Sequence, residues 1–174
     1  MWMGREDCFS AGFDLKVVKS GDADAAAAMV QAGGELAFRI FTFPHPVVCA
    51  VTGHCLALGS VMLVCADKRI GMAGDFKYGL NETAIDMILP AFGIELVKSR
   101  LSPRFQTMCA IQSHMFSPES ALEAGFFDEL VSAEEVLPRA IEYATQLAQL
   151  PAVYGINKMM LRQSHADIIR ASLN

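Results

Sequence analysis

The segment with the most distinctive potential for chemistry is residues 43–67, FPHPVVCAVTGHCLALGSVMLVCAD. Two prolines precede an apolar run, Gly53 and Gly59 stand six apart, and a second apolar run ends at an aspartate. This pattern predicts a buried strand, a turn and a buried helix. The first amides of a helix have no partner within it and lie at the positive end of its dipole. A turn at Ala57–Leu58–Gly59 therefore offers N–H donors to an oxygen that gains negative charge during a reaction.

Carboxylates are the other groups of interest, because a positioned carboxylate can move protons. Glu82 ends the segment FKYGLNE, and Asp86 follows four residues later, on the same face if the segment is helical. Glu95 lies further on, in FGIEL. His54 is interpreted as a hydrogen-bonded structural histidine. No His, Cys or Asp cluster has metal-ligand spacing, and no nucleotide-binding glycine motif occurs, so we expect no metal.

Composition restricts the class of protein. The chain has 174 residues, is 53% hydrophobic and 19% charged, and carries a net charge of −5 at pH 7. Its length predicts one domain, and its apolar content predicts that partner subunits cover some of its surface. It lacks a basic run, an apolar stretch of ~18 residues and the features of a secretory signal, which argues against nucleic acid, a membrane and secretion. Five cysteines without CxxC spacing favour a reducing compartment. We therefore expect a cytoplasmic protein.

The elements that position these groups change in type near residue 100. An alanine-rich stretch over residues 22–43 predicts a helix that Pro44 ends, although Gly33–Gly34 weakens its middle. Residues 60–66 predict a buried helix, and only two or three strands can be counted. We expect an α/β core over residues 1–100 and a helical region over residues 101–174.

Two capping signals mark helices in the second part. Ser117 precedes Pro118, a residue favoured at the first position of a helix, and Gly125 is expected to end that helix. Ser132 is followed three residues later by Glu135, the pattern of a capping box.

Four blocks of the sequence, in this order and at these separations, resemble the enoyl-CoA hydratase/isomerase (crotonase) superfamily. They are FSAGFDL, PVVCAVTGHCLALGSVMLVCADKRIG, FKYGLNE and SPESALEAGFFDELVSAEE. The resemblance implies an α/β fold in which repeated ββα turns form a superhelix, with a helical C-terminal region that mediates trimer formation. It also implies an acyl-CoA thioester as substrate, an enolate held by two backbone N–H groups, and no cofactor besides the coenzyme A of the substrate.

The resemblance assigns roles to particular residues. The two oxyanion-hole amides fall on Phe13 and Leu58, whose side chains are larger than the family's usual Ala and Gly; ordinary core packing is the alternative role for both. The neighbouring residues are implied to contact the substrate, and Asp14 and Lys16 to meet the nucleotide end of coenzyme A. The full set of implied contact residues is Ala11, Gly12, Asp14, Leu15, Lys16, Ala57 and Gly59.

The acid/base residues depart from the hydratase pattern. Hydratases of the family pair two glutamates; the position of the first is Val61 here, whereas the second is retained as Glu82. One carboxylate can shuttle a proton within a substrate, so Glu82 favours an isomerase. A solvated or capping role for Glu82 is the alternative, and Glu95 is a further candidate for a second catalytic group. The competing hypothesis is a catalytically inactive protein that binds acyl-CoA or serves in assembly.

The resemblance also concerns completeness and assembly. The resemblance implies about one more unit before the first block. Without the strands of that unit, one edge of the sheet would be unpaired. We expect either a truncated product or a short form completed by oligomerisation. The expected assembly is a homotrimer or a dimer of trimers, formed through the helices after residue 100.

Overall fold

The structure is a computed structural model that describes residues 1–174. The first six strands occur in closely spaced pairs along the chain, and a seventh follows alone. They are β1 (Trp2–Met3), β2 (Asp7–Ser10), β3 (Val48–Val51), β4 (Gly53–Leu56), β5 (Lys68–Met72), β6 (Tyr78–Gly79) and β7 (Glu129–Val131). The helices are α1 (Leu15–Val18), α2 (Ala23–Phe41), α3 (Leu58–Cys65), α4 (Ala91–Arg100), α5 (Pro103–Ala110), α6 (Pro118–Ala124), α7 (Ala133–Ala148) and α8 (Val153–Ala171).

Each pair of strands contributes one strand to each of two parallel sheets. The first sheet has the order β1-β3-β5-β7 and the second the order β2-β4-β6. Neighbouring strands are parallel throughout, and helices lie between successive pairs. The structure therefore has more strands than the two or three that can be counted from the sequence, because several of the seven strands are too short to show a periodic pattern.

Gly53 makes the corner between β3 and β4. Its φ is +142°, and a Cβ at this position would collide with the backbone of Asp7, where β2 begins. The sequence pattern predicts one buried strand followed by a turn, whereas the structure has a second strand, Gly53–Leu56, before the turn. Those residues form β4, which is paired on one side with β2 and on the other with β6.

The helix signals are largely confirmed. Ser117 Oγ accepts a hydrogen bond from the N–H of Ser120, and Pro118 opens α6. Gly125 ends α6 in the left-handed conformation, with φ of +97°. The Ser132–Glu135 capping box is present at the start of α7.

The sheets and helices enclose a core in which α3 is central. Every residue of α3 after Leu58 is buried, as expected for a helix that is apolar on all sides. β7 pairs with β5, so one strand beyond residue 100 belongs to the first sheet. The division at residue 100 stays a prediction, with this strand on its helical side. No helix of the structure is long and apolar enough to cross a membrane.

Candidate active site

A cavity of about 250 Å³ lies where α1, the start of α3 and the segment after β6 meet. Most of its lining side chains are apolar, which suits an acyl chain better than a polar metabolite. The lining residues are Ala11, Phe13, Leu15, Val18, Lys19, Val30, Ala57, Asn81, Glu82, Ile85, Met87, Ile88 and Pro90.

The start of α3 presents an amide without a partner. Ala57 precedes the helix with φ of +51° and ψ of −131°, and no side chain caps the helix. The Ala57 N–H donates to the carbonyl of Gly79 at 2.9 Å, which fixes the turn, whereas the N–H of Leu58 has no acceptor in the protein. Such a conformation for a residue with a Cβ costs about 1–3 kcal/mol and occurs preferentially at functional sites.

A second free amide lies on the segment after β2. Gly12 has φ of +89°, and its N–H donates to Ser10 Oγ at 3.3 Å, but the N–H of Phe13 has no acceptor. A Cβ on Gly12 would lie 2.8 Å from the Ala57 Cβ and 3.1 Å from the Leu58 nitrogen. The two segments are therefore in direct contact, and the absence of a side chain at Gly12 permits the contact.

Ser60 fixes the start of α3 to the second sheet. Its hydroxyl donates to the carbonyl of Cys55 at 2.6 Å and accepts from the N–H of Gly79 at 3.2 Å. Gly59 allows β2 to approach, because a Cβ there would lie 2.6 Å from Ser10 Cβ. The free amide of Leu58 thus belongs to a rigid part of the fold, as preorganised donors require.

Glu82 is a further residue in the lining of the cavity. It is 7% exposed, and neither its Oε2 nor the Oδ1 of the adjacent Asn81 has a hydrogen-bond partner. Desolvation by burial raises the pKa of Glu82, and a hydrogen bond from its own backbone opposes the rise in part. A raised pKa makes the carboxylate a stronger base near neutral pH.

The other candidate carboxylates lie outside the cavity lining. Asp86 is exposed, and its backbone is in the left-handed conformation (φ +59°) at the end of a short 3-10 helix, Thr83–Ile85. The segment is therefore not an α-helix, and the shared helical face expected for Glu82 and Asp86 does not form. Glu95 is 6% exposed, with its Oε1 2.6 Å from His165 Nδ1 and its Oε2 3.6 Å from Lys98 Nζ. It is an ion-paired group between α4 and α8.

His54 has a structural partner. Its Nδ1 accepts a hydrogen bond from the N–H of Lys77 at 3.0 Å, and its ring contacts Phe76 edge-on. The histidine therefore joins β4 to the segment before β6, which agrees with the sequence interpretation.

Val61 also lies outside the cavity lining. It is 2% exposed, and a Cβ placed on Gly93 of α4 would lie 3.6 Å from Val61 Cγ2. The side chain belongs to the core between α3 and α4.

The structure brings together most of the residues that the resemblance implies. Five of them line the cavity, and Gly12, Leu58 and Gly59 belong to the two contacting segments that contain Phe13 and Ala57. Asp14 caps α1 by accepting from the N–H of Lys16 at 2.8 Å, and neither residue lines the cavity. The five lining residues are Ala11, Phe13, Leu15, Ala57 and Glu82.

Sequence reasoning missed several lining residues. Val18 and Lys19 follow Leu15 by three and four positions, so helical spacing alone was a usable signal for them. Asn81 was visible only as the neighbour of Glu82, and Val30 reaches the cavity from α2, a helix that no sequence signal linked to the site. No group of three or more His, Cys, Asp or Glu side chains is arranged to hold a metal ion.

Comparison with known proteins places the chain in a family. The profile described as enoyl-CoA hydratase/isomerase matches residues 2–171. The mitochondrial enoyl-CoA delta isomerase 1 of Mus musculus is 29% identical over 162 residues, 91% of this chain and 56% of that protein. A probable enoyl-CoA hydratase of Mycobacterium bovis is 28% identical over 152 residues, 85% of this chain and 56% of that protein. The chain thus spans about half the length of these curated relatives.

Solved structures give the same result for the fold. The crystal structure of an enoyl-CoA hydratase/isomerase family protein from Pseudomonas syringae superposes with a TM-score of 0.95 at 38% identity, covering 98% of this chain and 74% of that chain. The crotonase-like fold implied by the four sequence blocks is confirmed. The chain belongs to the enoyl-CoA hydratase/isomerase family.

Proposed function

We propose that this protein catalyses proton transfer on an enoyl-CoA thioester through an enolate. The observation that carries the proposal is the shared cavity: the buried carboxyl of Glu82 lies in the same lining as Phe13, whose amide has no acceptor, and Ala57, which directly precedes the free amide of Leu58. Donors without an acceptor and a carboxyl with one unpartnered oxygen together match a substrate that supplies an oxygen and an acidic C–H.

In the proposed reaction the thioester oxygen accepts hydrogen bonds from the Phe13 and Leu58 N–H groups. Glu82 removes a proton from C2 of a 3-enoyl-CoA, the charge moves to the thioester oxygen, and the enolate takes the same proton back at C4. The product is the 2-enoyl-CoA, and Glu82 is again ionised. Each oxyanion donor contributes about 3–4 kcal/mol to such a step.

Isomerisation is favoured over hydration because Glu82 is the only carboxylate among the lining residues. A single carboxylate can carry a proton between two carbons, whereas the hydratase pattern uses a second carboxylate to help hold the attacking water. Val61, at the position of the other hydratase glutamate, has no hydrogen-bonding group.

We further propose that the protein assembles as a homotrimer or a dimer of trimers. Support comes from α8, which exposes Ile156 by 61%, Met160 by 76% and Leu161 by 78%. Contiguous exposed apolar side chains of this kind are typical of surfaces covered by another subunit. Sedimentation at micromolar concentration tests this, and a monomer of 18.9 kDa would contradict it.

The test of function compares two reactions in the same preparation: isomerisation of a 3-enoyl-CoA and hydration of a 2-enoyl-CoA. We expect isomerisation to exceed hydration. Efficient hydration would refute the single-carboxylate mechanism. Binding of acyl-CoA without either reaction would instead support the inactive binding protein, which the bulk of Phe13 and Leu58 favours.

A further inference from the structure

Gly33 occupies an unusual position in α2. It lies inside a 19-residue helix, is buried, and does not have the positive φ that only glycine tolerates well. Because glycine destabilises a helix interior relative to alanine, backbone conformation gives no reason for a glycine here. The reason must be sought in the space that a side chain would occupy.

That space is filled by two side chains from the candidate site. A Cβ on Gly33 would lie 2.8 Å from both Cε1 and Cζ of Phe13 and 3.1 Å from Cδ2 of Leu58. Phe13 and Leu58 are the two residues whose amides have no acceptor. Side chains from separate segments, one after β2 and one opening α3, therefore rest on the same point of α2.

We propose that Gly33 is a positioning residue for the oxyanion hole, and that its missing side chain fixes the amides of Phe13 and Leu58 relative to each other. The inference rests on the proposed function and extends it to a residue of α2 that does not touch the substrate. It also explains how the hole accommodates two bulky residues: the ends of their side chains meet α2 at a point where only glycine leaves room.

Gly33→Ala overfills this gap. The methyl group displaces the Phe13 ring, which is also part of the cavity wall, and the displacement is transmitted to the backbone at the amide. Small misplacements of catalytic groups lower rates steeply, so we expect kcat to fall by about 10- to 100-fold, with a much smaller change in KM.

The direct readout is the infrared carbonyl band of bound butanoyl-CoA labelled with ¹³C at the thioester carbon. This ligand cannot isomerise, so the band reports hydrogen bonding to the thioester oxygen without any turnover. We expect a shift to lower frequency in the parent protein and a clearly smaller shift in Gly33→Ala.

The neighbouring glycine provides a matched control. A Cβ on Gly34 would contact Leu173 Cδ2 and lie 3.0 Å from the ring of Phe92, on the side of α2 away from the site. Gly34→Ala makes the same change in helix propensity and crowds side chains that do not line the cavity, and we expect it to keep the parent's carbonyl shift and kcat. Should Gly33→Ala fail to fold, Phe13→Ala empties the same contact and is expected to weaken the shift.

The outcomes separate the two proposals. A parent shift that Gly33→Ala or Phe13→Ala leaves intact overturns the role of Gly33 alone. A parent protein that binds butanoyl-CoA with no carbonyl shift overturns the proposed oxyanion hole, and the role of Gly33 with it. Equal losses in Gly33→Ala and Gly34→Ala assign the effect to helix packing and also contradict the inference.

Discussion

The two ends of α3 differ in whether their backbone groups have hydrogen-bond partners. At the N-terminal end no side chain caps the helix, Ala57 has a positive φ, and the N–H of Leu58 has no acceptor. The nearest carboxyl in the cavity, Glu82, also leaves one oxygen without a partner. Free hydrogen-bonding groups are thus concentrated at this end.

At the C-terminal end, cationic side chains pair with the last carbonyls. Arg100 donates to the carbonyls of Val64 and Ala66, each at 3.0 Å, and Arg162 donates to that of Cys65 at 3.1 Å. These cations lie at the negative end of the helix dipole, where positive charge is stabilising.

Asp67 balances the charge at this end. Its carboxylate lies 2.7 Å from Lys158 Nζ and 3.0 Å from Arg162 Nη2, with all three side chains at most 8% exposed. Burial lowers the pKa of Lys158 and of Arg162, while the Asp67 charge opposes the shift in both.

One helix therefore serves two purposes, one at each end. Unpaired groups are costly in a folded protein and persist where a ligand can supply their partners. The paired end instead couples α3 to α4 and α8 and stabilises the fold. The comparison predicts that substitutions at the two ends have separable effects, on stability at one end and on turnover at the other.

The largest effect is expected from Asp67→Asn. The substitution leaves Lys158 and Arg162 buried without their counter-charge, which costs about 3–5 kcal/mol of the free energy of unfolding. Urea denaturation measures it, and kcat per folded molecule should change little. Glu35→Gln is the control, because its pair with Arg170 is about half exposed and contributes about 1 kcal/mol or less. Equal losses in both variants would contradict the structural role of Asp67.

Glu82→Gln should lower isomerisation at least about a hundredfold, the usual scale for losing a general acid/base. It keeps the size of the side chain and removes the titrating group, so the fold should persist, as circular dichroism would verify. Glu95→Gln is the matched control: it is equally buried, but paired with His165 away from the cavity. If Glu95→Gln abolishes turnover and Glu82→Gln does not, Glu95 is the base.

The sequence predicted the larger elements of this fold better than the smaller ones. The helix α2 and the caps at Ser117 and Ser132 follow from local propensity and local hydrogen bonds, so the sequence alone is sufficient to predict them. Strands such as Tyr78–Gly79 are defined by partners far away in the chain, here Cys55 and Leu56. A strand of two residues is too short to show a periodic pattern, so it can be recognised only in the folded sheet.

The site shows the same division. The resemblance led to the segments of Phe13, Leu58 and Glu82, because motifs record local chemistry. The contact of Gly33 with two of these side chains depends on the tertiary structure. In the sequence, the Gly33–Gly34 pair indicates only a weak point in a helix. Val61 shows the converse, because the motif position suggests a catalytic location while its side chain packs against α4.

Ala57→Gly should stabilise the protein by about 1 kcal/mol, because glycine adopts a φ of +51° without the strain that a Cβ imposes. The greater freedom of glycine in the unfolded chain offsets part of the gain. The midpoint of chemical denaturation measures the net effect. A loss of stability would mean that the Ala57 methyl group contributes more packing than strain, and would weaken the description of this end of α3 as strained.

The smallest effect concerns pH. Burial raises the pKa of Glu82 above the ordinary glutamate value of 4.5, so the folded state holds this proton more tightly than the unfolded chain does. The stability contributed by the protonated group is complete below pH 4.5 and is lost as the pH rises through the folded-state pKa. Glutamine does not titrate, so the unfolding free energy of the parent minus that of Glu82→Gln should decrease from pH 4 towards pH 7. Taking the difference cancels the titration of every group that the two proteins share. Glu82 accepts a proton only in its ionised form, so the parent's isomerisation rate should also rise as the pH increases over this interval. A stability difference that does not vary with pH would mean that the cavity imposes no penalty on the ionised carboxylate, and would contradict the assignment of Glu82 as a base with a raised pKa.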